Sequence, residues 1–194
     1  IEWARYADAE RNLCVAQAIA PLGDVMTEVL RRQAQLQLCQ DKLDDARTTP
    51  LRCIRLSKKI GDRYEYGAAL RVLGETYAAQ GKGPRAAPCF RAAVNTLKSI
   101  HECYELMRAL YAQGKFLSKN NKSDEAEIAL LEARQLSKKL ELEYYQALIA
   151  IAMADTLGPQ ERFEEAQTWL AEATTLRDHL EGVDRERVET DLKR

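Results

Sequence analysis

A chain of 194 residues, 46% hydrophobic and 30% charged, has the composition of a folded protein with enough apolar material for a full core, which excludes intrinsic disorder. Its 29 Lys and Arg nearly cancel 30 Asp and Glu, leaving a net charge of -1, so no global field draws it to nucleic acid or anionic lipid. No apolar run approaches the ~20 residues of a membrane span, and the opening IEWARYADAERN lacks the basic and apolar regions of a signal peptide. The expectation is a cytoplasmic protein, and the start at Ile1 suggests an internal part of a longer polypeptide.

In chain order, Ala9, Leu13, Ala16 and Ile19 first mark one apolar helical face in residues 1–22. The stretches 23–60, 61–100, 101–140 and 141–180 then align end to end, closing at Ile60, Ile100, Leu140 and Leu180 at a constant step of 40, the first being two residues shorter. Ala46, Ala86, Ala126 and Ala166 fall in register, and seven residues after each come Cys53, Ala93, Ala133 and Ala173. Pro50, Phe90, Leu130 and Leu170 lie between the two sets. Spacings of four, three and seven put all three sets on one helical face, small residues at the closest approach and a larger one filling the gap. A second apolar stripe lies upstream in each unit: Leu70, Leu73, Gly74 and Tyr77, then Leu110, Gly114 and Leu117, then Ala150, Met153, Ala154 and Leu157. Each unit therefore reads as helix, turn, helix. Residues 181–194, VDRERVETDLKR in their last twelve, offer only Val183, Val188 and Leu192 as an apolar stripe, a cap or the start of a further unit.

The stretch Gly81-Lys82-Gly83-Pro84 falls where NNKSDE and PQERFEE fall in the following units, between the two helices. Glycines end the first helix and Pro84 suits the first turn of the next. A phosphate-cradling loop needs four residues between its first glycine and the Gly-Lys pair, then Ser or Thr; here Gly74 precedes Gly81-Lys82 by six residues and Gly83 follows. The stretch is a turn, and no nucleotide cofactor is expected.

Five cysteines, Cys14, Cys39, Cys53, Cys89 and Cys103, show no CxxC spacing and read as small core residues in a reducing compartment. His101 and His179 are far apart, so neither a metal site nor any other cofactor is expected. Asn121-Lys122-Ser123 matches a glycosylation sequon by chance. Acid pairs such as Asp44-Asp45 and Glu164-Glu165 sit at helix starts, where they favour the helix dipole. No nucleophile, base and orienting acid share a motif, so no catalytic residue is assigned and the chain is expected not to be an enzyme.

Leu70-x2-Leu73-Gly74-x2-Tyr77, followed by Ala86-x3-Phe90 and Ala93, resembles the tetratricopeptide repeat signature, with leucine in place of its tryptophan. The resemblance spans about residues 7 to 182 and is weakest in the first unit, where Gln33 and Gln37 hold apolar places. The family's closing proline is replaced by Lys58, Lys98, Lys138 and Asp178, so the second helix runs on, as in the branch of the family with longer, ~40-residue repeats and joints such as Gly61-Asp62-Arg63. The resemblance implies an all-α fold: a right-handed superhelical solenoid of antiparallel helix pairs, one continuous stack over 1–194.

It also implies that the leading helix of each unit lines a concave groove that binds a partner peptide. The groove-facing places are Glu28, Arg31, Arg32 and Gln35, then Arg71, Val72 and Glu75, then Arg108, Tyr111, Lys115 and Lys119, then Leu148, Ile151 and Asp155. Cations dominate, so an acidic protein or peptide segment is the expected partner, with Tyr111 as an aromatic contact and Leu148 with Ile151 as an apolar floor. The bland reading is a solvated charged face, with Arg71 and Glu75 spaced to pair with each other. Chaperone-binding members grip a terminal carboxylate with asparagines that have no counterpart at the matching places here. The function expected is a non-enzymatic interaction scaffold within a larger signalling or regulatory protein. The alternative is a ligand- or peptide-sensing arm of a bacterial transcription activator or signalling protein. Neither nucleic acid nor membrane is expected as a partner, and an unclosed end would allow a homo-oligomer.

Overall fold

The structure is a computed structural model that describes residues 2–20 and 23–193, with side chains from Tyr6 onward. Its elements are α1 (Glu2–Ile19), α2 (Asp24–Cys39), α3 (Leu43–Ile60), α4 (Arg63–Ala79), α5 (Gly83–Ser99), α6 (Tyr104–Lys119), α7 (Ser123–Lys139), α8 (Glu143–Leu157), α9 (Phe163–His179) and α10 (Gly182–Leu192). A single 3-10 turn, Gly158–Gln160, extends α8, and there is no strand among the described residues. α2, α4, α6 and α8 are the leading helices of the four units; α3, α5, α7 and α9 are the second helices. Two compact bodies result, Ile1–Glu105 and Leu106–Arg194, divided in the first turn of α6.

One joint links the helices from α2 to α9. Asp41, Gly61, Gly81, His101, Asn121, Glu141 and Glu161 all have positive φ, between 55° and 79°, at a constant step of 20 residues. In each, the N–H of the following residue reaches back five positions, as Lys82 to Tyr77 (2.8 Å), Asp62 to Ser57 (2.9 Å) and Leu142 to Ser137 (2.9 Å). This is the Schellman closure, which satisfies carbonyls that the helix end would leave bare. Gly81-Lys82 belongs to this series, as expected of a turn, and only two of the seven positions are glycine. At the Gly61-Asp62-Arg63 joint, Asp62 also caps α4 by accepting the Glu65 N–H at 3.0 Å.

The packing face is the one the register predicts. Ala46, Ala86 and Ala126 are fully buried, as are Cys53, Ala93, Ala133 and Ala173, while Ala166 in the last unit is only half-buried. The larger residue between them meets a glycine: a methyl added at Gly74 would lie 2.9 Å from the Phe90 ring, and one at Gly114 would lie 2.6 Å from Leu130. Pro50 sits inside α3 and cannot donate to the Ala46 carbonyl, one turn back. The Thr76 hydroxyl, from α4, lies 3.1 Å from that carbonyl and 2.9 Å from the carbonyl of Val72.

Four expectations are corrected. Leu170, unlike Phe90 and Leu130, is 38% exposed, because it borders an open cleft shared with Thr174, Leu192 and Lys193. Of the cysteines only Cys53 is a core residue; Cys14 and Cys39 are exposed and Cys89 and Cys103 half-buried, all of them free thiols. On α1, Ala9, Leu13 and Ala16 are half-buried while Ile19 points out with Val15. On α10, Val188 is buried and Leu192 half-buried, whereas Val183 is half exposed.

Candidate functional site

In the first body the leading helices are joined by a buried ladder of charge. Arg31, only 3% exposed, donates from Nε to Glu65 Oε2 at 2.6 Å and from Nη2 to Glu65 Oε1 at 3.0 Å, and its Nη1 lies 3.9 Å from Glu105 Oε1. One unit on, Arg71 is 2% exposed and donates from Nε to Glu105 Oε2 at 3.1 Å and from Nη1 to both oxygens of Glu75. Burial drives the Glu65 carboxyl above its ordinary value, and the Arg31 guanidinium pulls against that rise. The backbone fixes both acids: Asp62 caps Glu65, and Glu102 Oε1 accepts the Glu105 N–H at 3.0 Å. Glu75 pairing with Arg71 is the i,i+4 contact that the spacing suggests.

Two of the cations assigned to a groove are therefore spent inside the first body. What its leading helices leave at the surface is Arg32, paired with Glu28 at 3.0 Å, and the half-buried Gln35 and Glu75. Arg31, Arg32 and Arg71 face Glu28, Glu65, Glu75 and Glu105, so this face is not basic.

The second body differs at the same register. Tyr111 and Tyr145 stand where the ladder has Arg71 and Glu105. Along α6, Tyr111, Lys115 and Lys119 follow at four-residue steps; Lys115 Nζ donates to the Tyr111 hydroxyl at 3.3 Å and lies 5.2 Å from its ring centre. On α8, the exposed Asp155 lies within the fields of Lys115 and Lys119, which oppose the rise that partial desolvation imposes on its carboxyl. From Leu106 to Lys119 the helix carries Arg108, Lys115 and Lys119 and no acid. The structure thus sets Lys115 against Tyr111, with Lys119 one turn on and Asp155 within the field of both lysines. Leu148 and Ile151 lie beside them but are buried in a cluster with Ala147, Ala150, Ala173 and Val188, against which Tyr111 and Tyr144 pack.

Sequence reasoning missed Glu65, Glu105, Tyr144 and Asp191. The first two had a signal: a glutamate 34 residues after each of Arg31 and Arg71, the same displacement twice. Among the described residues no group of three or more His, Cys, Asp or Glu is placed to hold a metal ion, and no helix is long and apolar enough to cross a membrane.

No protein-family profile and no curated protein matches the sequence. Solved structures are. BtubC (BKLC) from P. vanneervenii superposes with a TM-score of 0.73 over 92% of this chain and 75% of its own, at 14% identity. A putative kinesin light chain of Podosopora anserina with nearly identical TPR-like repeats gives 0.61 over 89% of this chain and 85% of its own, at 14% identity. Its Q17M variant gives 0.64 over 89% and 84%, at 12% identity. The fold is the TPR-like helical repeat. The faces described above are the leading-helix faces of that fold.

Proposed function

We propose that this TPR-like chain is a non-enzymatic protein-interaction scaffold, and that an acidic segment of its partner binds across α6 and α8 at Tyr111, Lys115, Lys119 and Asp155. One observation carries the reading: Arg108, Lys115 and Lys119 stand on an acid-free stretch of α6, in a body whose 13 basic residues are outnumbered by 17 acidic ones. Local charge opposed to the surrounding charge is what steers a complementary ligand to one place. The Tyr111 ring supplies a rigid contact of low entropic cost. Five free thiols fit a reducing, cytoplasmic setting, and the near-neutral total charge speaks against nucleic acid.

The test is fluorescence anisotropy with a set of acidic peptides at low and moderate salt. Lys115→Glu with Lys119→Glu is expected to weaken binding at least about tenfold, the scale of a close charge pair. Arg32→Glu, in the other body, is expected to leave it unchanged. Equal binding by both variants would remove the α6 and α8 face from the account. A ligand- or peptide-sensing arm of a bacterial transcription activator or signalling protein is the second reading; an ATPase or DNA-binding domain encoded in the same polypeptide would decide for it.

A further inference from the structure

α10 departs from the repeat at its root. Its joint is not the one used seven times: Leu180 and Glu181 are extended, and the positive φ falls instead on Gly182, at 58°. Like α9 it buries a single residue, here Val188, and like α7, α8 and α9 it has no side-chain cap, but it is only eleven residues long. A short helix with one buried anchor and a glycine at its root has little to hold it down, since isolated helices of this length are marginal in water.

What α10 covers is the apolar part of the face described above. Val188 completes the cluster containing Leu148 and Ile151, and Leu192 packs against it. Asp184, Arg187 and Asp191 put their charges on Tyr144, and Asp191 also acts on Asp155 beside Lys115 and Lys119. α10 thus brings an apolar anchor, Val188, and the Asp191 carboxylate to the place where an acidic partner segment would need to put its own.

We propose that α10 is an intramolecular cover of the α8 face, seated by Val188 and hinged at Leu180–Gly182, which an acidic partner segment with an apolar anchor must displace. The proposal rests on the reading that α6 and α8 form the binding face. A partner then competes with a tethered helix, so its apparent affinity is reduced by the fraction of chains in which α10 is seated.

The experiment uses the full chain and a synthetic peptide of residues 182–194. In Val188→Asp, amide exchange is expected to show α10 deprotected while α8 and α9 keep their protection. The peptide is expected to bind this variant at least tenfold more tightly than the wild type, and Leu192→Asp to show a smaller gain in the same direction. Loss of protection in α8 and α9 together with α10, or failure of Val188→Asp to fold, would show α10 to be part of the body rather than a cover. Equal peptide binding to variant and wild type, or binding to neither, would also overturn it. The exchange result does not depend on charge at α6, so a null result from Lys115→Glu with Lys119→Glu would count against the binding face and leave the hinge standing.

Discussion

The Ala46 carbonyl shows how a single residue choice spreads. Pro50 removes the N–H that would satisfy it inside α3, and the carbonyl is buried, where an unpaired acceptor costs ~1–3 kcal/mol. Thr76 stands 3.1 Å away on the next leading helix. Thr76→Val, nearly isosteric, is expected to destabilise the chain by ~1–3 kcal/mol in urea unfolding. In a Pro50→Ala background, where the N–H is restored, the loss should shrink by at least ~0.5 kcal/mol. The Thr156 hydroxyl, two units on, donates to the Ala152 carbonyl of its own helix at 2.7 Å rather than to a neighbouring helix, so Thr156→Val should cost less. An equal cost for the two threonines would show that the cross-helix bond contributes nothing. Cys53 makes a second residue-scale case. Its thiol donates to the Thr27 carbonyl at 3.2 Å, and burial pushes it up to about 12 from 9.0. A folded-state value above the unfolded one means that the stabilisation is complete below pH 9 and is lost as pH rises toward 12, because the unfolded thiol ionises first. Unfolding midpoints at pH 8 and pH 10 should therefore converge in Cys53→Ala relative to the wild type, by up to about 1.4 kcal/mol per pH unit; an identical pH response in both would exclude the thiol.

At the scale of elements, the joint recurs every 20 residues although its residue does not. Glutamate holds the left-handed conformation at Glu141 and Glu161, glycine at Gly61 and Gly81, asparagine at Asn121. A non-glycine residue there costs ~1–2 kcal/mol, and asparagine least, since its side chain tolerates the conformation. Glycine also gives back some entropy to the unfolded chain. Glu141→Gly is therefore expected to raise stability by about 1 kcal/mol net and Asn121→Gly by less, read as shifts in thermal midpoint; a loss of stability at Glu141 would mean that the glutamate side chain holds the joint. The same comparison shows what the sequence made legible. The helix pairs were readable because small residues recur at a fixed step on the packing face, and close approach tolerates nothing else. The 20-residue rhythm of the joints was not, because left-handed residues that are not glycine leave no mark in composition. The burial of Arg31 and Arg71 was also hidden: an arginine on a leading helix looks solvated until the glutamate that neutralises it is seen on the next one.

At the scale of the whole molecule, charge and packing each divide by body. The first body carries 16 basic and 13 acidic residues yet spends the buried arginines of its leading helices internally; the second carries 13 and 17 and still displays a basic stretch of α6. Net charge alone would point an acidic partner to the first body rather than to the α6 and α8 face proposed above. Packing divides in the same way, because in a repeat protein each unit draws its stability from itself and its nearest neighbours. A methyl added at Gly114 would meet Leu130 Cγ at 2.6 Å, with the Ala126 carbonyl oxygen at 3.4 Å closing the other side, and Leu130 is fully buried. Overpacking of this kind costs ~1–3 kcal/mol, which outweighs the gain of about 1 kcal/mol from replacing a helical glycine with alanine. Gly114→Ala is thus expected to lower amide-exchange protection in α7 and α8 while α3 and α4 keep theirs. Gly74→Ala, which drives a methyl against the buried Phe90 ring at 2.9 Å, should do the reverse. If either substitution lowered protection equally in both bodies, the chain would be unfolding as one cooperative unit, and the division into two bodies would carry no energetic meaning.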